Sequence, residues 1–342
     1  MIRNRILCTF IFISVLSLIT ACTTPSTTST TTVQQVSDAS RAPAVIATPN
    51  LPGRLLLAKA GDLWMWQNGN LQQITQSGNA WQPAFSRDGT RIVFVRRVES
   101  ASDIMLTSAS GGEAIQLTNN ASNHPLHSFE RIYDSTWAMY PSFSPDGNKI
   151  VYASQYGPPE GNPASEYRMI MYFMEARSGA NREDAYADGS GNVGHAIFDV
   201  DGDGVYFAFS PAGQNGAPRI MYYQKSSGRL TIPKGMPDQS YDPALSSDGK
   251  TLFFAKRTAT GTDIFALALT AGQLTPITAL NSARAPAISP DGEWLVFLAV
   301  PPGASGFEMY AQKLTDGKPD GDPVQMTRDQ MFDVDSGISW GK

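Results

Sequence analysis

A seven-residue phrase returns five times along this chain. Pro83-Ala-Phe-Ser-Arg-Asp-Gly89 comes back as Pro141-Ser-Phe-Ser-Pro-Asp-Gly147, Ala196-Ile-Phe-Asp-Val-Asp-Gly202, Pro243-Ala-Leu-Ser-Ser-Asp-Gly249 and Pro286-Ala-Ile-Ser-Pro-Asp-Gly292. Three residues past each glycine stands an apolar side chain: Ile92, Ile150, Val205, Leu252 and Leu295. Two further on an aromatic always follows: Phe94, Tyr152, Phe207, Phe254 and Phe297. Self-similarity at intervals of 43 to 58 residues marks an array of one supersecondary unit and overrides any element-by-element reading.

One copy reads as a β-hairpin. An apolar strand ends at Ser-x-Asp-Gly, where glycine accepts a backbone conformation that side chains with a Cβ resist. A second strand follows with alternating apolar positions, such as Ile92 and Phe94. A third strand begins at an acidic residue, as at Asp103, Asp263 and Glu308. A fourth closes on an apolar residue and threonine, as at Thr118, Thr278 and Thr327. Four strands in this length match the blade of a β-propeller.

The termini complete the ring. Asp335-Ser-Gly-Ile-Ser-Trp340 reads as a sixth first strand, with Ser336 at the repeat's proline position. Its three missing partners lie at the other end: Leu55–Ala58, Asp62–Met65 and Leu71–Thr75. The expected fold is therefore all-β, a six-bladed propeller of four-stranded blades over residues 53–342, its closing blade shared between N- and C-terminal segments. Sharing a blade removes the free sheet edges that invite aggregation. The pattern Pro-x-apolar-Ser-Pro-Asp-Gly resembles the TolB-type, WD-repeat-like propellers over this whole span. In TolB an α/β domain precedes the propeller; here a Thr-rich stretch stands in that place. Propellers also precede the catalytic domain of prolyl oligopeptidases, but the blades use all of 53–342, and no Gly-x-Ser-x-Gly elbow occurs.

Ahead of the repeats lies an export signal, expected over 1–21. Arg3 and Arg5 precede an apolar run from Ile6 to Ile19, which is short of the ~20 residues that span a bilayer. Leu18-Ile-Thr-Ala-Cys22 then resembles the bacterial lipoprotein signal. That resemblance implies cleavage before Cys22, lipidation of its thiol by acyl chains such as palmitate, and attachment to the cell membrane or outer membrane, facing the periplasm or exterior. Residues 22–52, with ten Thr, Ser and Pro residues in a row from Thr23 to Thr32, read as a flexible tether.

Composition narrows the function. Lys+Arg 26 against Asp+Glu 31 gives a net charge of −5, which argues against nucleic-acid binding. Two cysteines exclude a disulfide framework, and a monomer without a cofactor is expected. Asp199-Val-Asp201-Gly-Asp203-Gly resembles the Asp-x-Asp-x-Asp-Gly calcium loops, although Ser210 stands where an EF-hand places glutamate. The alternative is a decorated turn. His124, His127 and His195 would suit a divalent metal if they converged, and a metal-assisted lyase or hydrolase at the propeller channel is the alternative function. The residues entering each first strand should crowd the channel mouth. They include Trp81, Gln82, Tyr140, His195, Tyr241, Asp242, Arg284 and Asp335. Aromatics mixed with charges suit recognition, so the leading expectation is binding of an envelope protein or glycan-like partner there.

Overall fold

A computed structural model describes residues 46–155, 168–186, 191–212 and 216–342. The chain divides into Met1–Arg41, outside the described residues, and Ala42–Lys342, to which everything below belongs. The signal peptide, Cys22 and most of the tether lie outside the described residues.

Six antiparallel sheets follow one another as blades. Their innermost strands are Ala80–Phe85, Ala138–Phe143, Gly191–Phe198, Ser240–Leu245, Arg284–Ile288 and Ser339–Gly341. The last belongs to the shared blade, where it pairs with Arg54–Lys59 through Arg54↔Gly341, Leu55↔Trp340 and Leu56↔Ser339. Asp62–Gln67 and Asn70–Gln73 complete that sheet. The Trp340 indole donates to the Pro52 carbonyl at 2.7 Å, a second bond between the two ends. The packed chain starts ahead of the expected boundary at residue 53, since Leu51 is buried and Ile46 N donates to Met326 O. Blade five departs from four strands. Both Lys318–Pro319 and Val324–Gln325 pair with its third strand, Glu308–Thr315.

Apolar packing lies in the seams between blades. Each of the six hydrophobic clusters joins two neighbouring blades. Along a second strand, alternate side chains enter opposite seams, because successive Cβ atoms leave opposite faces of a sheet. Val93 and Val95 face blade two, while Ile92 and Phe94 face the shared blade. The recurring aromatic at Phe94, Tyr152, Phe207, Phe254 and Phe297 always fills the seam with the preceding blade. The twisted blades diverge outward, and a large ring fills the gap that a small side chain leaves open.

Two repeated polar devices explain the remaining letters of the repeat. At the turn, Ser86 Oγ donates to Asp88 Oδ1 at 2.6 Å, and that same oxygen accepts Thr90 N–H. Gly89 takes φ 72°. The same Ser–Asp bond recurs at Ser144–Asp146, Ser246–Asp248 and Ser289–Asp291. These bonds hold the Asp88 carboxyl down at about 2 and lower those of Asp146 and Asp248. At the outer edge, Thr118 Oγ1 donates to Asp103 at 3.0 Å while accepting Ile104 N–H, and Asp103 also accepts Asn120 N–H. Asp62 with Thr75, Asp263 with Thr278, and Glu308 with Thr327 form the same clip. It fastens the fourth strand to the third and leaves the carboxylate fully accepted.

Candidate functional site: the channel mouth

Five of the six innermost strands carry a β-bulge at their entry, and these bulges build the mouth. Register slips between Trp81 and Ala84, Met139 and Ser142, Tyr241 and Ala244, and Arg284 and Ala287. Proline in the slipped pair cannot donate to the ladder, so the break falls there. The residue before it turns to positive φ: Gln82 at 49°, Tyr140 at 54°, Asp242 at 54° and Ala285 at 53°. Non-glycine residues rarely adopt such angles, and here the bulge imposes them. Blade three has Ala196 in place of proline. Ala196 pairs with Phe207, and the slip moves back onto Gly194 and His195.

In the shared blade the register corrects the expected alignment. Ser339 pairs with Leu56 as Ala84 pairs with Val93, which puts Ile338, not Ser336, at the proline position. Gly337, at φ 72°, stands where Gln82 stands in blade one. Asp335 therefore precedes the ring, in a 3-10 turn over Val334–Ser336.

The central channel is a cavity of about 420 Å³ to which all six innermost strands contribute. Gln82, Tyr140 and His195 line it. Tyr140 and His195 stack at 5.9 Å between ring centroids, 22° from parallel. Burial pushes the His195 pKa below its usual value, and Asp242 only partly opposes that. Burial, helped by Asp335 and Asp242, raises the Tyr140 phenol. Gln82 holds two neighbours: its Oε1 accepts Tyr140 N–H at 2.9 Å, and its own N–H donates to Ser336 Oγ at 3.2 Å. Its buried Nε2 has no hydrogen-bond partner among the described residues.

Trp81, Tyr241, Asp242, Arg284 and Asp335 do not line the cavity but brace its rim. Arg284 makes a forked contact with Asp242 at 3.0 and 3.2 Å and reaches Asp335 at 2.9 Å. Its guanidinium lies 5.0 Å over the Tyr241 ring, and Tyr241 Oη bonds Thr262. Burial disfavours the Arg284 charge, but the two carboxylates reverse this and raise its pKa. Arg284 and Tyr241 are thus fastened parts of the rim rather than waiting contacts.

The sequence did not single out Arg97 in blade one. Its guanidinium lies 4.2 Å over the Trp81 ring, its Nε is buried, and no described residue forms an ion pair or hydrogen bond with that guanidinium. Nor did it single out three exposed apolar tips. Leu126 and Phe129, at 61% and 67% exposure, sit on the loop from blade one to blade two. Met331, at 61%, sits on the loop into the shared blade. Such loops open on the mouth face. The other exposed large apolar residues, Ile74, Ile115, Ile232 and Val324, lie on or beside outermost strands.

The metal candidates do not assemble. Asp199 accepts Gly202 N–H and the Tyr222 hydroxyl, Asp203 accepts Ser226 and Gln224, and Asp201 is exposed. The serine of the other turns is simply replaced by Asp199. His127 pairs with Glu99 at 2.7 Å in the loop ahead of blade two, whereas His195 faces the channel. Among the described residues, no three His, Cys, Asp or Glu side chains are grouped to hold a metal. The lyase or hydrolase alternative loses the convergence it required.

Known proteins agree on the fold. TolB from Acinetobacter baumannii superposes with a TM-score of 0.64 at 19% identity, over 86% of this chain and 68% of that one. TolB from Agrobacterium tumefaciens gives 0.57 at 12% identity, over 80% and 90%. A chain of a nidogen/laminin complex gives 0.57 at 12% identity, over 84% and 97%. No protein-family model matches the chain, and no curated protein matches it either. The fold is a six-bladed, TolB-like β-propeller.

Proposed function

We propose that this chain is an exported envelope protein, tethered by lipid on Cys22, whose propeller binds a protein or glycan-like partner at the channel mouth. The observation that carries the reading is the placing of apolar exposure. The three most exposed large apolar side chains among the described residues all stand on loops that lead into innermost strands, on the mouth face. Exposed apolar side chains rimmed by polar groups are the usual mark of an interaction surface. The TolB likeness is consistent with such a role, since propellers present binding faces without changing fold.

Site-specific photo-cross-linking in cells tests the binding face. A cross-linking residue at Phe129 or Met331 should give a discrete adduct, and one at Thr90 or Asn148, on the turn face and off the channel lining, should not. Adducts from the turn face alone would overturn the assignment. Fatty-acid labelling tests the anchor independently. Label should be lost in Cys22→Ser, because the thiol is the acceptor, and a labelled mutant would remove the tether from the reading.

A further inference from the structure

We infer that the blade-one side of the mouth is a carboxylate-recognition subsite for a peptide that carries acidic and apolar side chains together; this rests on the mouth-binding reading. Two rim arginines invite comparison. Arg284 donates from each of its three guanidinium nitrogens, to Asp242 and Asp335. The Arg97 guanidinium donates to none of the described residues, although its Nε is buried. A desolvated donor without an acceptor is costly, and native structures keep few of them. Trp81 holds the guanidinium plane in place at 4.2 Å, so the fork is set before any ligand arrives. Asp333 lies within its electrostatic reach but forms no ion pair with it.

A second orphan donor, inside the channel, follows Trp81 in the chain. Gln82 is 3% exposed, its Oε1 is committed to Tyr140 N–H, and its Nε2 has no acceptor among the described residues. A guanidinium without an acceptor calls for an oxygen-rich, acceptor-only group, and a carboxylate fits its fork in two bonds. The apolar tips Leu126 and Phe129 belong to the same side. Their loop is pinned to the blade-one loop by His127–Glu99 at 2.7 Å and Ser100–Ser135 at 3.0 Å. The ligand class is therefore a peptide in which Asp, Glu or a terminal carboxylate neighbours Leu or aromatic side chains.

The test uses the full chain and three arrays of octapeptides combining acidic with Leu, Phe or Tyr residues. One array has blocked C-termini, the second replaces every Asp and Glu by Asn and Gln, and the third is that amide array with free C-termini. Binding to the first or third should exceed the second by about tenfold or more, the first reporting side-chain carboxylate and the third terminal carboxylate. Arg97→Gln should abolish that preference while melting within a few degrees of wild type, since it removes the Trp81 stacking but no side-chain hydrogen bond or ion pair. Arg97→Lys keeps the charge without the fork and should lose most of the preference, which keeps the test decisive if Arg97→Gln fails to fold. No preference for either carboxylate array overturns the subsite, as does a preference that survives both substitutions. Neither result bears on the cross-linking pattern, which tests the mouth face alone.

Discussion

At the residue scale, His195 makes the pH behaviour of the mouth testable. Its folded pKa lies below the unfolded value near 6.5 because the ring is buried against Tyr140. Below that pH the unfolded chain takes up a proton that the folded one refuses. Stability must therefore fall as pH drops from about 6.5 toward the folded pKa, and be unaffected by this group above 6.5. His195→Gln should flatten that part of the stability–pH curve, as measured by denaturant unfolding between pH 7 and pH 5. An unchanged slope would show that the imidazole is not shielded. The turn carboxylates act on another window. Asp88, Asp146 and Asp248 have lowered pKa values, so their contribution is present above the unfolded carboxyl range and is lost as pH falls through the folded values, about 2 for Asp88. Arg284→Ala is a different probe. It leaves Asp242 and Asp335 without their shared cation and should destabilise by about 2–4 kcal/mol in urea unfolding. A neutral result would show that the rim ion triad holds nothing together.

At the scale of the element, the Asp–Thr clip offers the sharpest test. Thr278→Val keeps shape but removes a donor to Asp263 and an acceptor of Ile264 N–H, both buried. A loss of about 2–3 kcal/mol is expected by thermal or urea unfolding. A loss below about 0.5 kcal/mol would reduce the clip to decoration. The clip, the Ser-x-Asp-Gly turn and the seam aromatic were all legible as recurring letters, because each acts within one blade or between neighbours. The register of the sixth innermost strand was not. Its expected alignment was two residues off, with Ser336 in place of Ile338, and a two-residue slip keeps every side chain on its face. Only the cross-strand partners and the positive φ of Gly337 break that tie. Gln82, Tyr140 and His195 were legible at the channel because position alone puts them there. Arg97 was not, since a basic residue closing a strand looks the same paired or bare. Leu126, Phe129 and Met331 were hidden for a similar reason: apolar letters in a loop do not say which way they face.

For the whole molecule, the shared blade governs cohesion. Deleting Asp335–Lys342 removes the innermost strand of that blade, the Trp340–Pro52 bond and the Asp335 arm of the rim triad. The seams to blades five and one both open, since Leu55 and Leu57 pack one way and Leu56 and Ala58 the other. The truncated chain should melt far below the full one and gain a tendency to associate through the exposed edge, by differential scanning calorimetry with light scattering. Matching midpoints would contradict the closure seen here. The same feature sets an order in time. The bond from Trp340 to Pro52 spans 288 residues, so the three strands made first cannot finish their blade until the last strand has emerged. Contacts that distant carry a heavy loop-closure cost and form late. A chain crossing a membrane as a thread would thus stay an open arc throughout its passage, and would snap shut only after its final residues arrive.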